Sequence, residues 1–365
     1  MGGGADPNGA GERAGGGRMY LKALRSAFPG RPFSQREVWE CLRGSALMDA
    51  VGRRERRILE AVLTGESGIE TRHFAVPPPG LFELGAGELN AAFEREAPAL
   101  GMRALEAGLC DAGLSAGDLD ALFVCTCTGY LCPGLSSHLA GLAGLRADAG
   151  LFDLAGLGCG AAIPTMQSAR GFLALNPDAR VATVAVEVCS AAFDLAPDTG
   201  VLVSACLFGD GASAAIWSGA PGGVRFGDWY AENFLQYHRP DQREEIRFVN
   251  RTGRLRVQLR RTVPQAAAGA VAQLYPKLVG RPCAVLVHPG GRDVIDAVEG
   301  VLPGFRLDET RAALAGYGNL SSPSVMVALE DRLGKLGDAD RDLWLCAFGS
   351  GFSAYACNLK RVGRA

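Results

Sequence analysis

The sequence predicts an α/β protein in which helices pack against layers of largely parallel sheet. Three observations carry that prediction. Short apolar runs of strand character alternate with segments of helical spacing between about residues 121 and 219. The alternation returns, more sparsely, after about residue 262. In each part, a strand-like run ends in a glycine-bearing loop that carries a polar, reactive side chain.

Taken in order, residues 1–18 (MGGGADPNGAGERAGGGR) hold almost no large apolar side chain and read as a disordered tail. Helical spacing dominates from about 34 to 64 and includes the basic run RRERR at 53–57. That run is either a solvated helix face or a contact for an anionic cofactor tail. Residues 87–115 form a further long helix, rich in Ala, Leu and Glu. The alternating region then reads ALFVCTCT (strand), GLSSHLAGLAGL (helix), LFDLA (strand), a helix from 160 to about 175, VATVAVEVC (strand) and ASAAIWSG (strand). Residues 220–262 have no clear periodicity. Beyond them come a helix from about 263 to 279, the strand and turn CAVLVHPGG, and the helix RDVIDAVEGVL. ALAGYGNLSSPSVMVALEDRLG is a glycine loop feeding a helix, and LWLCAFGSGFSAYACNLK is strand, Gly-Ser-Gly turn and strand. Two α/β halves are therefore expected, residues 19–219 and 220–365.

At 365 residues the chain is long enough for one large or two medium domains with a substantial core. A hydrophobic fraction of 48% and a charged fraction of 21% suit a globular protein. A net charge of -2 gives no reason to expect nucleic acid or an anionic membrane as partner. No apolar run has transmembrane length and the first residues lack a signal-peptide core, so a cytoplasmic protein is expected. The 11 cysteines are scattered through apolar runs and read as reduced, buried thiols. Cys125, Cys127 and Cys132 lack the second ligand pair that zinc would need, and no metal is expected.

The chemistry concentrates in three loops. The stretch FDLAGLGCGAAIPT (152–165) ends a strand in a glycine cluster and opens a helix. Its GLGCGA matches the dinucleotide-binding pattern G-x-G-x-x-[G/A], with Glu187 after the next strand as the matching ribose acid. That reading, an NAD(P)-dependent oxidoreductase, leaves the other two loops unexplained. Alternatively, Cys159 is a nucleophile at a helix start, where the dipole and free N–H groups favour thiolate. His288 follows an apolar strand and precedes Pro289, Gly290 and Gly291, which let a ligand approach the backbone closely. Asn319 lies in GYGNLSS ahead of a helix, where its plain role is a cap or turn residue. Together they supply a nucleophile, a base or donor, and an amide donor. That set can take an acyl group from a thioester and stabilise the charge that develops when a malonyl group loses CO2.

With these residues assembled, the chain resembles the type III polyketide synthases, the chalcone and stilbene synthase-like enzymes, across roughly residues 20 to 360. The segments that carry the resemblance are GLGCGAAIP, CLFGDGASAAIW, VLVHPGGRDVID, GYGNLSSPSVM and AFGSGF, in that order. The resemblance implies a thiolase fold, two similar halves in an αβαβα arrangement, assembled as a homodimer. It implies Cys159 as the acyl carrier, His288 and Asn319 as promoters of malonyl decarboxylation, and Phe208 as gatekeeper. It also implies that Cys127, Thr128 and Ala192 line the cavity, with Cys132 on a loop that crosses to the partner, and that Gly291, Ser321, Phe348 and Ser350 border the substrate. Small side chains there imply room for a long acyl starter, as in bacterial enzymes that make alkylpyrones and alkylresorcinols. Ser350 stands where plant members have proline, and Val62 and Glu66 fall near two positions where those members hold the CoA phosphates. Arg53 and Arg57 are the substitutes the sequence offers for CoA, unless the starter arrives on an acyl carrier protein. Malonyl-CoA and acyl-CoA are expected as substrates, with no cofactor. The nearest rival is a single-condensation ketoacyl synthase III-like enzyme with the same three residues.

Overall fold

The computed structural model describes residues 17–337 and 340–362, so all but the last two residues of the expected glycine-rich tail lie outside the described residues. The first half runs β1 (Met19–Ala27), β2 (Phe33–Ser34), α1 (Gln35–Arg43), α2 (Arg53–Thr64), β3 (Thr71–Arg72) and α3 (Ala86–Ala112). It continues with β4 (Ala121–Cys125), α4 (Leu135–Ala143), β5 (Gly150–Leu154), α5 (Ala162–Leu175), β6 (Arg180–Glu187), α6 (Thr199–Leu207) and β7 (Gly211–Ser218). The second half runs β8 (Trp229–His238), β9 (Ile246–Arg251), β10 (Arg254–Leu259), α7 (Val263–Leu274) and β11 (Ala284–Val287). It ends with α8 (Arg292–Glu299), α9 (Asp308–Tyr317), α10 (Ser324–Leu333), β12 (Asp342–Gly349) and β13 (Ser353–Arg361).

Nine strands hydrogen-bond in the order β11-β12-β13-β8-β1-β7-β6-β4-β5. The order is symmetric about the short antiparallel pair β1–β8. Outward from β1 come β7 and β6, each antiparallel to its inner neighbour, then β4 parallel to β6. Outward from β8 come β13 and β12, again antiparallel, then β11 parallel to β12. One strand, β5, extends only the first half, parallel to β4.

The core falls into three main clusters that define the layers. Outside the first half, Leu100, Leu105 and Leu109 of α3 pack on Leu122, Val184 and Ile216 of the sheet. Between the halves, Ile163, Met166 and Leu173 of α5 and Val325 and Leu329 of α10 share one cluster with Trp217, Trp229 and Leu345. Outside the second half, Val271 of α7 and Ile295 of α8 pack on Val285, Trp344 and Ala356. The result is the expected αβαβα layering, with α5 and α10 sandwiched between the two halves of the sheet. Burying each large apolar side chain of those two helices contributes about 1.5–3 kcal/mol. Because β4 and β6 are covered on both faces, ALFVC and VATVAV read as near-continuous apolar runs rather than alternating ones.

Residues 220–262, which showed no clear periodicity, fold into β8 and the β9–β10 hairpin. The hairpin turns at Thr252 (φ 52°) and Gly253 (φ 78°), two consecutive left-handed residues of the kind a tight primed turn requires. The long helix tolerates Pro98 in its interior and stops at Gly113 in the left-handed conformation.

The turn between β12 and β13 packs directly on the turn that carries Cys159. A Cβ at Gly349 would sit on the Leu157 carbonyl oxygen, 2.7 Å from Gly160 N and 3.0 Å from Cys159 N. Gly349→Ala is therefore expected to lower stability by about 1–3 kcal/mol. A leftward shift of the urea midpoint checks this, and an unshifted midpoint contradicts it.

Candidate active site

Cys159 lies in a single 3-10 turn (Gly158–Gly160) between β5 and α5. The glycines of this loop serve close contact between halves: Gly156 (φ 82°) and Gly158 (φ 63°) are left-handed, and Gly158 has the Ser350 backbone nitrogen 2.8 Å from its would-be Cβ. Gly160 faces Tyr355 and Phe348 in the same way. His288 is the first residue after β11, and Gly291 (φ 139°) closes its loop before α8. Asn319 follows α9, whose chain turns at Gly318 (φ 69°) and reverses again at Ser321 (φ 59°) before α10. Thus all three chemical groups sit in the short connections that lead into α5, α8 and α10.

The backbone locks one of them to Phe208. Asn319 N donates to Leu207 O at 2.9 Å and Gly209 N donates to Asn319 O at 3.0 Å, so Phe208 and Asn319 form a parallel β-bridge. Cys159, His288, Asn319, Phe208, Gly291 and Phe348 then border one cavity of about 610 Å³. The rest of its wall mixes apolar side chains, Val62, Val203, Leu207, Leu259 and Val263, with the charged Glu66, Arg260, Arg261, Arg292 and Asp293.

Side-chain hydrogen bonds decide which atoms remain available. Asn319 Oδ1 accepts from Ser321 N at 2.8 Å, which commits its acceptor and leaves the amide N–H groups as donors. The Ser321 hydroxyl donates to Cys159 Sγ at 3.3 Å and lies 3.1 Å from Cys127 Sγ. Among the described residues His288 Nδ1 is buried with no hydrogen-bond partner, and its ring stands edge-on to Phe348 with centroids 5.3 Å apart.

Burial dominates the electrostatics. It pushes the Cys159 thiol up to about 12, with the Ser321 hydroxyl opposing. It pulls His288 down to about 3. Burial thus works against the thiolate that the helix start was expected to favour, because it desolvates the charged form of both groups. Glu187, the acid the dinucleotide reading placed on a ribose, is fully buried and spent inside the chain. It accepts from Cys127 N (3.0 Å), Thr128 N (3.1 Å), Thr128 Oγ1 (2.8 Å) and Ser322 Oγ (2.5 Å), with Thr126 Oγ1 and Cys127 Sγ also in reach. Sequence patterning had no signal for this cage, since its donors lie about 60 and 135 positions away.

The other sequence candidates fall around this centre. Thr128 is buried and tied to Glu187, and Ser350 backs the nucleophile turn. Ala192 lines a separate space of only about 20 Å³ behind Phe208, beside Cys189 and Val257. The room expected from small side chains is therefore filled, because Phe248, Val257 and Leu259 of the β9–β10 hairpin pack against Phe208. Cys132 is exposed, next to a cis Pro133, away from the cavity. Arg53 and Arg57 are exposed on α2 but do not line the cavity. Ala61 and Val62 of that helix do, and the arginines on the wall are Arg260, Arg261 and Arg292. The sequence signal for the first two is a basic pair directly after the strand β10, which lies in the region without clear periodicity.

A buried thiol, imidazole and carboxamide on one elongated cavity in a thiolase fold define a condensing acyltransferase. Residues 27–278 match the family of FAE1/type III polyketide synthase-like proteins. The chain is 31% identical over 350 residues to a 1,3,6,8-tetrahydroxynaphthalene synthase of Streptomyces peucetius subsp. caesius, covering 92% of this chain and 91% of that protein. It is 33% identical over 280 residues to a 3,5-dihydroxyphenylacetyl-CoA synthase of Amycolatopsis orientalis, covering 72% and 75%. In fold it is similar to PKS-I of the brown alga Ectocarpus siliculosus, with a TM-score of 0.84 at 21% identity over 96% of this chain and 100% of that one. The chain belongs to the type III polyketide synthase family, and the dinucleotide reading of its glycine loop falls away.

Linkage gives the burial of His288 a measurable consequence. A histidine that titrates near 3 when folded takes its proton first in the unfolded chain, so it lowers stability as pH falls from about 6.5 towards 3. Asp210, pushed up to about 6 by burial, acts with the opposite sign: the folded chain takes that proton first, so stability rises as pH falls from about 6 to 3.8. His288→Gln removes the first effect and leaves the second. Relative to the parent, the variant is expected to gain about 1.4 kcal/mol for each pH unit below 6.5. Urea denaturation at pH 7 to 4.5 checks this, and a constant difference would mean that His288 is not held neutral.

Proposed function

We propose that this polyketide synthase carries its growing chain on Cys159 and extends it by repeated decarboxylative Claisen condensation of malonyl-CoA. The observation that carries the reading is the convergence of Cys159, His288, Asn319 and Phe208 on one cavity. In the loading step the Cys159 sulfur attacks a thioester carbonyl, the neutral His288 imidazole takes the thiol proton, and the CoA thiol departs with it. Malonyl thioester then loses CO2, and the electron pair of the broken C–C bond forms an enolate. Asn319 Nδ2–H and the imidazole N–H donate to the enolate oxygen in a dry site, where such hydrogen bonds are strong. The enolate carbon attacks the acyl carbonyl on Cys159 and expels the sulfur as thiolate, leaving a β-ketoacyl-CoA. In the next round that thiolate attacks the β-ketoacyl-CoA, and CoA leaves as a thiolate that takes a proton from solvent.

For the product, the filled space behind Phe208 favours a small starter, derived from malonyl-CoA itself, and a compact polyhydroxylated aromatic. The relatives named for tetrahydroxynaphthalene, dihydroxyphenylacetyl-CoA and phloroglucinol point the same way. A long-chain acyl starter closing to an alkylpyrone or alkylresorcinol is the second reading. The apolar side chains on the wall of the main cavity, Val62, Val203, Leu259 and Val263, favour it. A single condensation, as in a ketoacyl synthase III-like enzyme, is distinguished from both by product mass.

Two further features support partners. Arg260, Arg261 and Arg292 on the cavity wall suit the phosphates of CoA or of a carrier-borne phosphopantetheine. The edge strand β5 exposes Leu151 and Phe152, and Leu142 of the helix α4 packed beside it is exposed too. An apolar, open sheet edge of this kind supports a homodimer formed there.

Labelled malonyl-CoA, alone and with C6 to C20 acyl-CoAs, tests the reading by product mass. Aromatic products from malonyl-CoA alone support it, and products only with long acyl-CoAs transfer the case to the second reading. Cys159→Ala is expected to abolish condensation, and Asn319→Ala to lower its rate about 10²–10³-fold. The double variant Arg260→Ala with Arg261→Ala is expected to raise KM for malonyl-CoA while leaving the reaction of malonyl-N-acetylcysteamine, which has no phosphates, unchanged. Equal losses on both substrates would contradict a phosphate contact.

A further inference from the structure

Arg72 is fully buried, yet no carboxylate pairs with it within ion-pair distance among the described residues. Its Nε donates to Gln35 Oε1 at 2.8 Å, and Nη1 donates to the carbonyls of Ala205 (3.0 Å) and Phe208 (2.8 Å). Nη2 is buried without a partner. The nearby acid, Asp210, is taken by Ala75 N (2.6 Å), Ser190 N (2.8 Å) and Ser190 Oγ (2.5 Å). A cation desolvated this completely and held mainly by carbonyls is costly, so its placement calls for a cause.

The cause lies in what it touches. Ala205 and Phe208 end α6, where free carbonyls carry the negative end of the helix dipole. Gln35 Nε2 donates to the intervening Cys206 carbonyl at 2.9 Å, completing the cap. The arginine stem also fills the space that a side chain at residue 318 would need: a Cβ on Gly318 would lie 2.9 Å from Arg72 Cγ and 3.0 Å from Cδ. Gly318 immediately precedes Asn319, and the Phe208–Asn319 bridge is the next contact along. One side chain therefore abuts the backbone of the gate and the backbone of the amide donor.

We propose that Arg72 is the positioning residue that holds Phe208 and Asn319 in register, an inference that takes the roles given to those two residues above as its basis. With the Phe208 carbonyl clamped by Arg72 and its N–H bonded to Ser204 O, the gate backbone is fixed. Growth of the chain past the gate then depends on ring rotation and on the β9–β10 hairpin. Loss of the clamp lets Phe208 and Asn319 drift apart, so enolate still forms but meets the acyl carbonyl off line.

Arg72→Lys keeps the charge but loses the planar fork that reaches several acceptors at once. Unaltered protein is assayed first, so failure of the polyketide synthase reading shows as no condensation there. For Arg72→Lys, condensation is expected to fall about 100-fold, as for a displacement of order 1 Å at a reacting centre. KM for malonyl-CoA stays unchanged, the ratio of CO2 released to product formed rises, and shorter chains are released. A CO2-to-product ratio and product distribution equal to those of the parent, at any melting temperature, would overturn the inference and leave Arg72 a purely structural cation. If Arg72→Lys does not fold, Gln35→Leu frees both Arg72 Nε and the Cys206 carbonyl. The same rise in the ratio supports the inference, and an unchanged ratio overturns it.

Discussion

The site depends on backbone meeting backbone across the two halves of the chain, with no side chain in between. Gly349 lies directly on the Leu157–Gly160 turn, and Asn319 bridges Leu207 and Gly209. These contacts are short because glycine permits them at residues 158, 160, 318 and 349. Each one sets a reactive group from one half against a group from the other. The thiol comes from the first half and the imidazole and amide from the second, so neither half alone has the chemistry. The pseudo-symmetric sheet, folded about β1 and β8, supplies the rigid frame on which three loop residues keep their places.

The same burial that fixes these groups also disfavours their charged forms. Desolvation raises the Cys159 thiol and lowers the His288 imidazole. On the mechanism proposed above, proton transfer accompanies attack and the enolate is met by donors already oriented. The Asn319 amide is oriented because Ser321 N holds its oxygen, and Ser321 in turn reaches the nucleophile. Glu187, on the far side, ties the Cys127–Thr128 strand end to Ser322, so the loop carrying Asn319 is anchored from two directions.

Much of this was legible in the sequence, and the reasons are local. Apolar runs such as ALFVC and VATVAV announced the doubly covered strands, and a glycine-bearing loop after a strand marked Cys159 and His288. Other features were illegible because they depend on packing. The β9–β10 hairpin interleaves apolar side chains such as Phe248, Val257 and Leu259 with arginines, most of them only half-buried, and its turn signal is only Thr252–Gly253. The hairpin in turn packs into the space that Ala192 had seemed to leave open. Arg53 and Arg57, offered by the sequence for CoA, lie on a helix but off the cavity lining, because periodicity cannot tell which rim of a cavity a face meets. The helix start at Cys159 is visible in sequence, whereas the burial that opposes its thiolate is not.

The central claim is that one buried cysteine, served by two neutral donors, holds the chain during extension. The most direct measurement is single-turnover labelling: rapid quench of the protein with labelled malonyl-CoA at low pH, proteolysis, and mass mapping of the acylated peptide. The account predicts label on the peptide containing Cys159, with the thioester accumulating in Asn319→Ala as decarboxylation slows. Label confined to another cysteine, or product formed with Cys159 unmodified throughout, would contradict it.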